Sequence, residues 1–122
     1  MAFDAHANFA YSTVATAPSP ANSGTSLTVA TGDGAKFPAV PFNATVWPAS
    51  TQPTTANAEI VRVTNISGDV LTITRTQEST SARTVLVGDQ IADTITAKTF
   101  TDIESAITAN LLLNIVFRQY FK

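Results

Sequence analysis

The chain has 122 residues, 44% of them hydrophobic but only 13% charged, with a net charge of -2 and no cysteine. That length suits one compact domain rather than two, and the charge balance, with no basic run and no cluster of Arg with aromatics, excludes a protein that tracks a phosphate backbone. Without cysteine there is neither a disulfide framework nor a thiolate metal site.

Residues 1–10 are rich in Ala, show no periodicity and are expected to form a flexible arm. They lack the basic start and apolar stretch of a signal peptide. Tyr11 to Ala17 is β-prone, and Pro18 to Gly24 then breaks the chain. A short strand is predicted over Thr25 to Thr31, with Leu27 and Val29 on one face. Gly32-Asp33-Gly34 is a turn signal. Phe42 to Trp47 reads as a strand with Phe42, Ala44 and Val46 sharing one face and Trp47 on the other, and residues 48–56 form a polar loop. Glu59 to Thr64 and Val70 to Arg75, joined by Asn65 to Asp69, predict a β-hairpin with a loop of three to five residues. Val61 and Val63 would face Leu71 and Ile73 across it, fixing the register. Arg83 to Val87 and Gln90 to Thr96 are the last predicted strands, separated by a turn at Gly88-Asp89.

The pattern changes at Thr99. Thr101-Asp102-Ile103-Glu104 matches a capping box, and Ile103, Ile107, Leu111 and Ile115 then recur every four residues. Leu111-Leu112-Leu113 broadens the apolar face beyond what a small sheet needs. The terminus, Val116 to Lys122, is aromatic and slightly basic, which suits a helix C-terminus. No uninterrupted apolar stretch approaches ~20 residues, so no transmembrane helix is expected. The expected organisation is an arm (1–10), a β-rich module (11–98) and a helix for assembly (99–122). The expected fold class is mainly β: a small antiparallel β-sandwich or barrel-like domain with the flexible arm before it and the α-helix after it.

Three stretches carry a resemblance to a known module. The first is Ser23-Gly24-Thr25-Ser26-Leu27-Thr28-Val29, leading into Gly34-Ala35-Lys36-Phe37-Pro38. The second is Pro41-Phe42-Asn43-Ala44-Thr45-Val46-Trp47-Pro48. The third runs from Asn57 to Thr64, through Ser67-Gly68-Asp69, to Leu71-Thr72-Ile73-Thr74-Arg75-Thr76-Gln77-Glu78-Ser79-Thr80-Ser81-Ala82-Arg83. Together with Thr101 to Glu104, they make residues 23–104 similar to the module at the start of many tail and fibre proteins of tailed phages. Such proteins commonly read Arg-x-Gln-Glu-Gly-Thr-x-Ala in the third stretch, and Ser79 stands here where Gly is usual.

The resemblance implies a virion location after folding in the host cytoplasm, and a connecting role toward other virion structural proteins of tail, neck or capsid. It also implies a homo-oligomer, with a trimer favoured. Relatives usually continue into a fibre, receptor-binding or enzymatic region, whereas this chain ends soon after the module. It therefore suggests a tail-fibre or tail adaptor, with a capsid decoration (cement) or head-fibre base protein as the alternative and a host-surface carbohydrate binder as a weaker one.

The residues favour assembly over chemistry. His6 is the only histidine and no carboxylate cluster accompanies it, so no zinc site is expected. Asp102 and Glu104 point in different directions on a helix, and the Ser and Thr residues lack a recognisable base. Gly32 to Lys36 lacks the Walker spacing and a following helix. No enzymatic activity and no cofactor are expected. Trp47 is either a core or interface anchor or an aromatic that stacks on a sugar. Asn43-Ala44-Thr45 and Asn65-Ile66-Ser67 match glycosylation sequons that a cytoplasmically assembled protein would not use. The helix has almost no cationic face before Arg118, which favours subunit contact over a membrane surface. The candidate interface residues are Ile103, Ile107, Leu111, Ile115, Phe117, Tyr120 and Phe121, the aromatics among them because they dominate interface energies.

Overall fold

The alternation of apolar and polar residues predicted for the central strands is realised in a closed antiparallel barrel. The computed structural model describes residues 3–120. The strands are β1 (Tyr11–Thr16), β2 (Ser26–Val29), β3 (Phe42–Trp47), β4 (Glu59–Ser67), β5 (Val70–Gln77) and β6 (Gln90–Ala92), and one helix, α1 (Ala97–Tyr120), follows them. The six strands close in the order β1-β2-β5-β4-β3-β6, with β6 returning to β1. Closure leaves no unpaired strand edge to template association with another chain. Two compact units are present, residues 4–94 carrying the barrel and a second unit from Ile95 onward carrying the helix.

The barrel core is the set of residues that the alternation singles out. Leu27, Val29, Phe42, Ala44, Val46, Val61, Val63, Leu71 and Ile73 are all buried, joined by Val14, Phe37, Val85 and Ile91. Cross-strand pairs such as Ala44 with Val61, Val63 with Ile73 and Leu27 with Leu71 place like faces together. Phe37 stacks on Phe42 with ring centroids 5.9 Å apart. Register shifts in β1–β2 and β4–β5 supply the local bending that a barrel of short strands requires.

Several expectations are corrected. The loop between β4 and β5 is Gly68-Asp69 alone, because Asn65, Ile66 and Ser67 stay in the ladder opposite Thr72, Leu71 and Val70. Gly68 has a φ of 62°, the left-handed geometry that a tight hairpin needs. The Asp69 carboxylate then accepts the N–H groups of Gly32 and Gly34, both at 3.0 Å. A Cβ on Gly34 would lie 1.9 Å from the Gly68 carbonyl oxygen, so the two loops meet at bare backbone. The glycine-rich stretch is thus a short 3-10 turn, Asp33–Lys36, in which the Asp69 carboxylate holds the amide before it, Gly32, and one within it, Gly34. Arg83 to Val87 is not a strand. It wraps around Asp89, whose carboxylate accepts two bonds from the Arg83 guanidinium, each 2.9 Å, and one from the Leu86 N–H. The last strand stops at Ala92 rather than Thr96.

Part of the segment expected to be a flexible arm is tied to the barrel. Asp4 makes a two-pronged ion pair with Arg62 at 3.0 and 3.1 Å, Ala10 is buried, and its carbonyl accepts the Asp93 N–H. Burial pushes the Asp93 carboxyl up from 3.8 to about 6; the charge of His6 opposes the rise and that of Asp4 adds to it. The folded protein therefore holds this proton where the unfolded chain has released it, and stability falls as pH rises through that window. Asp93→Asn is expected to raise the melting temperature near pH 7 and to leave it unchanged near pH 3, where the carboxyl is neutral in both states. Calorimetry at the two pH values checks this.

Charged groups also close the far ends of the strands. Glu59 is fully buried and receives both nitrogens of the Arg75 fork at 2.8 Å. The same carboxylate accepts the N–H groups of Thr76 at 2.8 Å and Arg83 at 2.7 Å. Arg75 donates onward to the carbonyls of Gly24 and Arg83, and Arg83 donates to that of Asn57. Three connections, from β1 to β2, β3 to β4 and β5 to β6, are thereby stitched to one buried ion pair.

At the end of β5 the chain turns, with Thr76 in the strand's last residues and Glu78 and Ser79 just beyond it all at positive φ, Ser79 at 63°. A left-handed conformation costs an L-residue about 1–2 kcal/mol, part of which a glycine returns as unfolded-state entropy. Ser79→Gly is expected to stabilise the barrel by about 0.5–1 kcal/mol, read as a higher urea midpoint at an unchanged slope.

Candidate functional site: the C-terminal helix

The helix opens earlier than the capping box suggested. Thr96 precedes its first residue, and the Thr96 N–H donates to the Thr99 hydroxyl at 3.3 Å while the Thr99 N–H donates to the Thr96 carbonyl at 3.1 Å. Thr99 thus reaches back as the third helical residue of a capping box does, and Thr101 and Glu104 lie inside the helix. Lys98 and Asp102 form an ion pair one turn apart, a spacing that supports the exposed first turns. The chain can start the helix here because Ala97 onward contains no Gly, no Pro and strong helix formers.

Its surface is unusual for a helix of a small protein. The 24 residues span about 36 Å, and none of them is buried. Ile103, Ile107, Leu111, Ile115, Phe117 and Tyr120 are exposed, from 40% at Ile103 to 81% at Tyr120. Phe121 lies outside the described residues. At about 100° per residue, the apolar positions of the first half, Phe100, Ile103 and Ile107, share one side. Those of the second half do not: Leu111, Leu112, Leu113, Ile115, Val116 and Phe117 spread over about two thirds of the circumference, with Asn110, Asn114 and Arg118 in the remaining third. Leu112, Leu113 and Val116 are exposed as fully as the residues of the four-residue stripe, and that stripe alone understates the apolar surface. The triplet of leucines is the signal for them in the sequence.

By length and composition the helix is one that can cross a membrane. Its uncharged part is shorter. Between Glu104 and Arg118 lie residues 105–117, which span about 20 Å against a hydrocarbon core of about 30 Å. Asn110 and Asn114 fall in the middle of that run. Polar amides at bilayer depth are costly without partners, whereas in a helix–helix contact an Asn can serve register.

Trp47 belongs to the barrel unit. It is 8% exposed, and its indole N–H donates to the Thr51 carbonyl at 3.1 Å. Tyr11 lies beside it, with ring centroids 6.5 Å apart and tilted by 53°, and the Tyr11 hydroxyl donates to Gln90. Gln90 in turn donates to the Pro48 carbonyl, so the loop after β3 folds over the indole. This arrangement fits a packing anchor. A pocket of about 430 Å³ lies between residues 55–58 and 81–86. The one charged group lining it, Arg83, is committed to Asp89. Among the described residues no group of three or more His, Asp or Glu is placed to hold a metal ion.

Neither a scan against protein-family models nor a search of curated proteins finds a match to this chain.

Proposed function

We propose that this chain is a non-enzymatic structural protein of a tailed-phage particle, an adaptor-type module of the tail or tail fibre that docks onto other virion proteins. The observation that carries the reading is the C-terminal helix: long, apolar over most of its circumference in its second half, and without a buried residue. A helix that is apolar over so much of its surface is stable only when that surface is covered. The barrel contributes the complementary property. It is closed and internally hydrogen-bonded, and it presents a surface poor in charge, so it is a rigid base on which a connector can be built.

The phage-module resemblance gives the reading its biological setting. Its third stretch maps onto the β4–β5 hairpin and the turn that follows, and Arg75 and Arg83 within it hold the barrel connections together. The motif residues therefore have architectural work and need no substrate to explain them. The partners are sister subunits and an adjoining virion protein, met in the virion after folding in the host cytoplasm.

Quantitative gel densitometry of purified virions tests the assignment. A few copies per particle fit a tail or fibre-base protein. Hundreds of copies move the chain to the capsid as a decoration protein, and its absence from virions overturns the reading.

A further inference from the structure

We infer that one face of the helix binds a second copy of this chain, antiparallel, about a twofold axis at Leu111; the inference rests on reading the helix as an assembly surface. Residues seven apart on a helix differ by only about 20° in direction, so Glu104, Leu111 and Arg118 lie on one narrow line. Ile107 and Ile115, four residues to either side of Leu111, flank that line by about 40° each. All five belong to the exposed helix, and none is buried. The face is symmetric about Leu111 in its apolar groups and antisymmetric in its charges, with an acid seven residues before the centre and a base seven residues after it.

That pattern selects an orientation. In an antiparallel pair centred on Leu111, each Ile107 comes level with the partner's Ile115 and each Glu104 level with the partner's Arg118. Two opposite-charge pairs then bracket an apolar centre, as an isologous twofold contact requires. In a parallel, in-register assembly the same face puts Glu104 against Glu104 and Arg118 against Arg118. Like charges at one level of a contact are repulsive, and unfavourable pairings of this kind decide partner orientation in helical assemblies. The near-parallel class of helix packing, about 20° between axes at 8–10 Å, keeps both charge pairs within reach of their long side chains.

The chain has no cysteine, so engineered disulfides read the orientation directly. Ile107→Cys and Ile115→Cys are made separately, and each is oxidised alone and after mixing with the other. The antiparallel pair predicts a cross-linked dimer chiefly in the mixture. Within one variant the two thiols stand eight residues apart, about 12 Å along the axis, beyond disulfide reach. Glu104→Arg is expected to weaken association at least severalfold, and Glu104→Arg combined with Arg118→Glu to restore it. If a cysteine variant fails to associate, this charge swap decides the question. Efficient cross-linking of Ile107→Cys with itself, or a charge swap that does not rescue, overturns the antiparallel pair while leaving the helix as an assembly surface. A monomeric mass for the unmodified chain removes both.

Discussion

Arg75→Ala is expected to destabilise the barrel by about 3–5 kcal/mol, the usual cost of stripping one partner from a buried ion pair. Set against a total of about 5–15 kcal/mol for a domain, this is a large share, and partial unfolding at room temperature is a realistic outcome. The reason is the position of Glu59, which is fully buried and relies on the Arg75 fork and two backbone N–H groups for all its compensation. Burial pushes the Glu59 carboxyl up, yet the bonds from Arg75, Arg83 and Thr76 outweigh it and hold the group below its ordinary 4.5. A carboxyl held low stabilises the fold above the unfolded value, and that contribution is lost as pH falls below about 4.5 through the folded value. Acid should therefore loosen the parent protein in that range. Arg75→Lys should not rescue, because an ammonium cannot reproduce the two-pronged fork. Replacing both members with apolar residues, Glu59→Leu with Arg75→Met, should cost less than the two single changes summed. Urea unfolding of the five variants (Arg75→Ala, Arg75→Lys, Glu59→Leu, Arg75→Met and the double) at neutral pH gives the comparison.

Leu111→Asp is expected to weaken self-association at least tenfold, since it places a carboxylate at the centre of an apolar contact. Removing residues 105–122 should abolish association altogether. In neither case should the barrel's melting transition move by more than a few degrees. The barrel's core residues all come from residues 10–91, and the helix contributes no buried side chain. Light scattering and calorimetry on the same samples separate the two effects. A truncated chain that keeps the full mass would place the contact elsewhere; one that loses the barrel transition would show that the helix is part of the domain's own stability.

The parts of this molecule that were legible in the sequence are those governed by local repetition. Phe42 to Trp47 alternates cleanly and forms a strand with the expected bounds. Val61, Val63, Leu71 and Ile73 sit on facing strands because β-branched and aliphatic residues at spacing two leave few other arrangements. What stayed hidden depends on distant partners. Nothing local in Gln90-Ile91-Ala92 says that three residues suffice to close a barrel by pairing with both β1 and β3. Asn65 and Ser67 look like loop residues by composition, but continuing the ladder to a two-residue turn keeps Ile66 packed against the core. Arg83 to Val87 has β propensity, but Asp89 captures its arginine and its backbone first. The Glu59–Arg75 ion pair stayed hidden because pairing across neighbouring strands leaves no one-dimensional signature. In the helix, the four-residue stripe and its broadening at Leu111-Leu112-Leu113 were legible, while the exposure of that whole surface was not, since burial depends on what packs against a helix and periodicity does not record it.

The burial pattern of the helix makes one demand, that something covers it. The most direct measurement is the light-scattering mass of the intact chain over a hundredfold range of concentration. The mass is expected to be a multiple of 12.8 kDa and to fall toward the single-chain value on dilution. A constant 12.8 kDa at every concentration would contradict it.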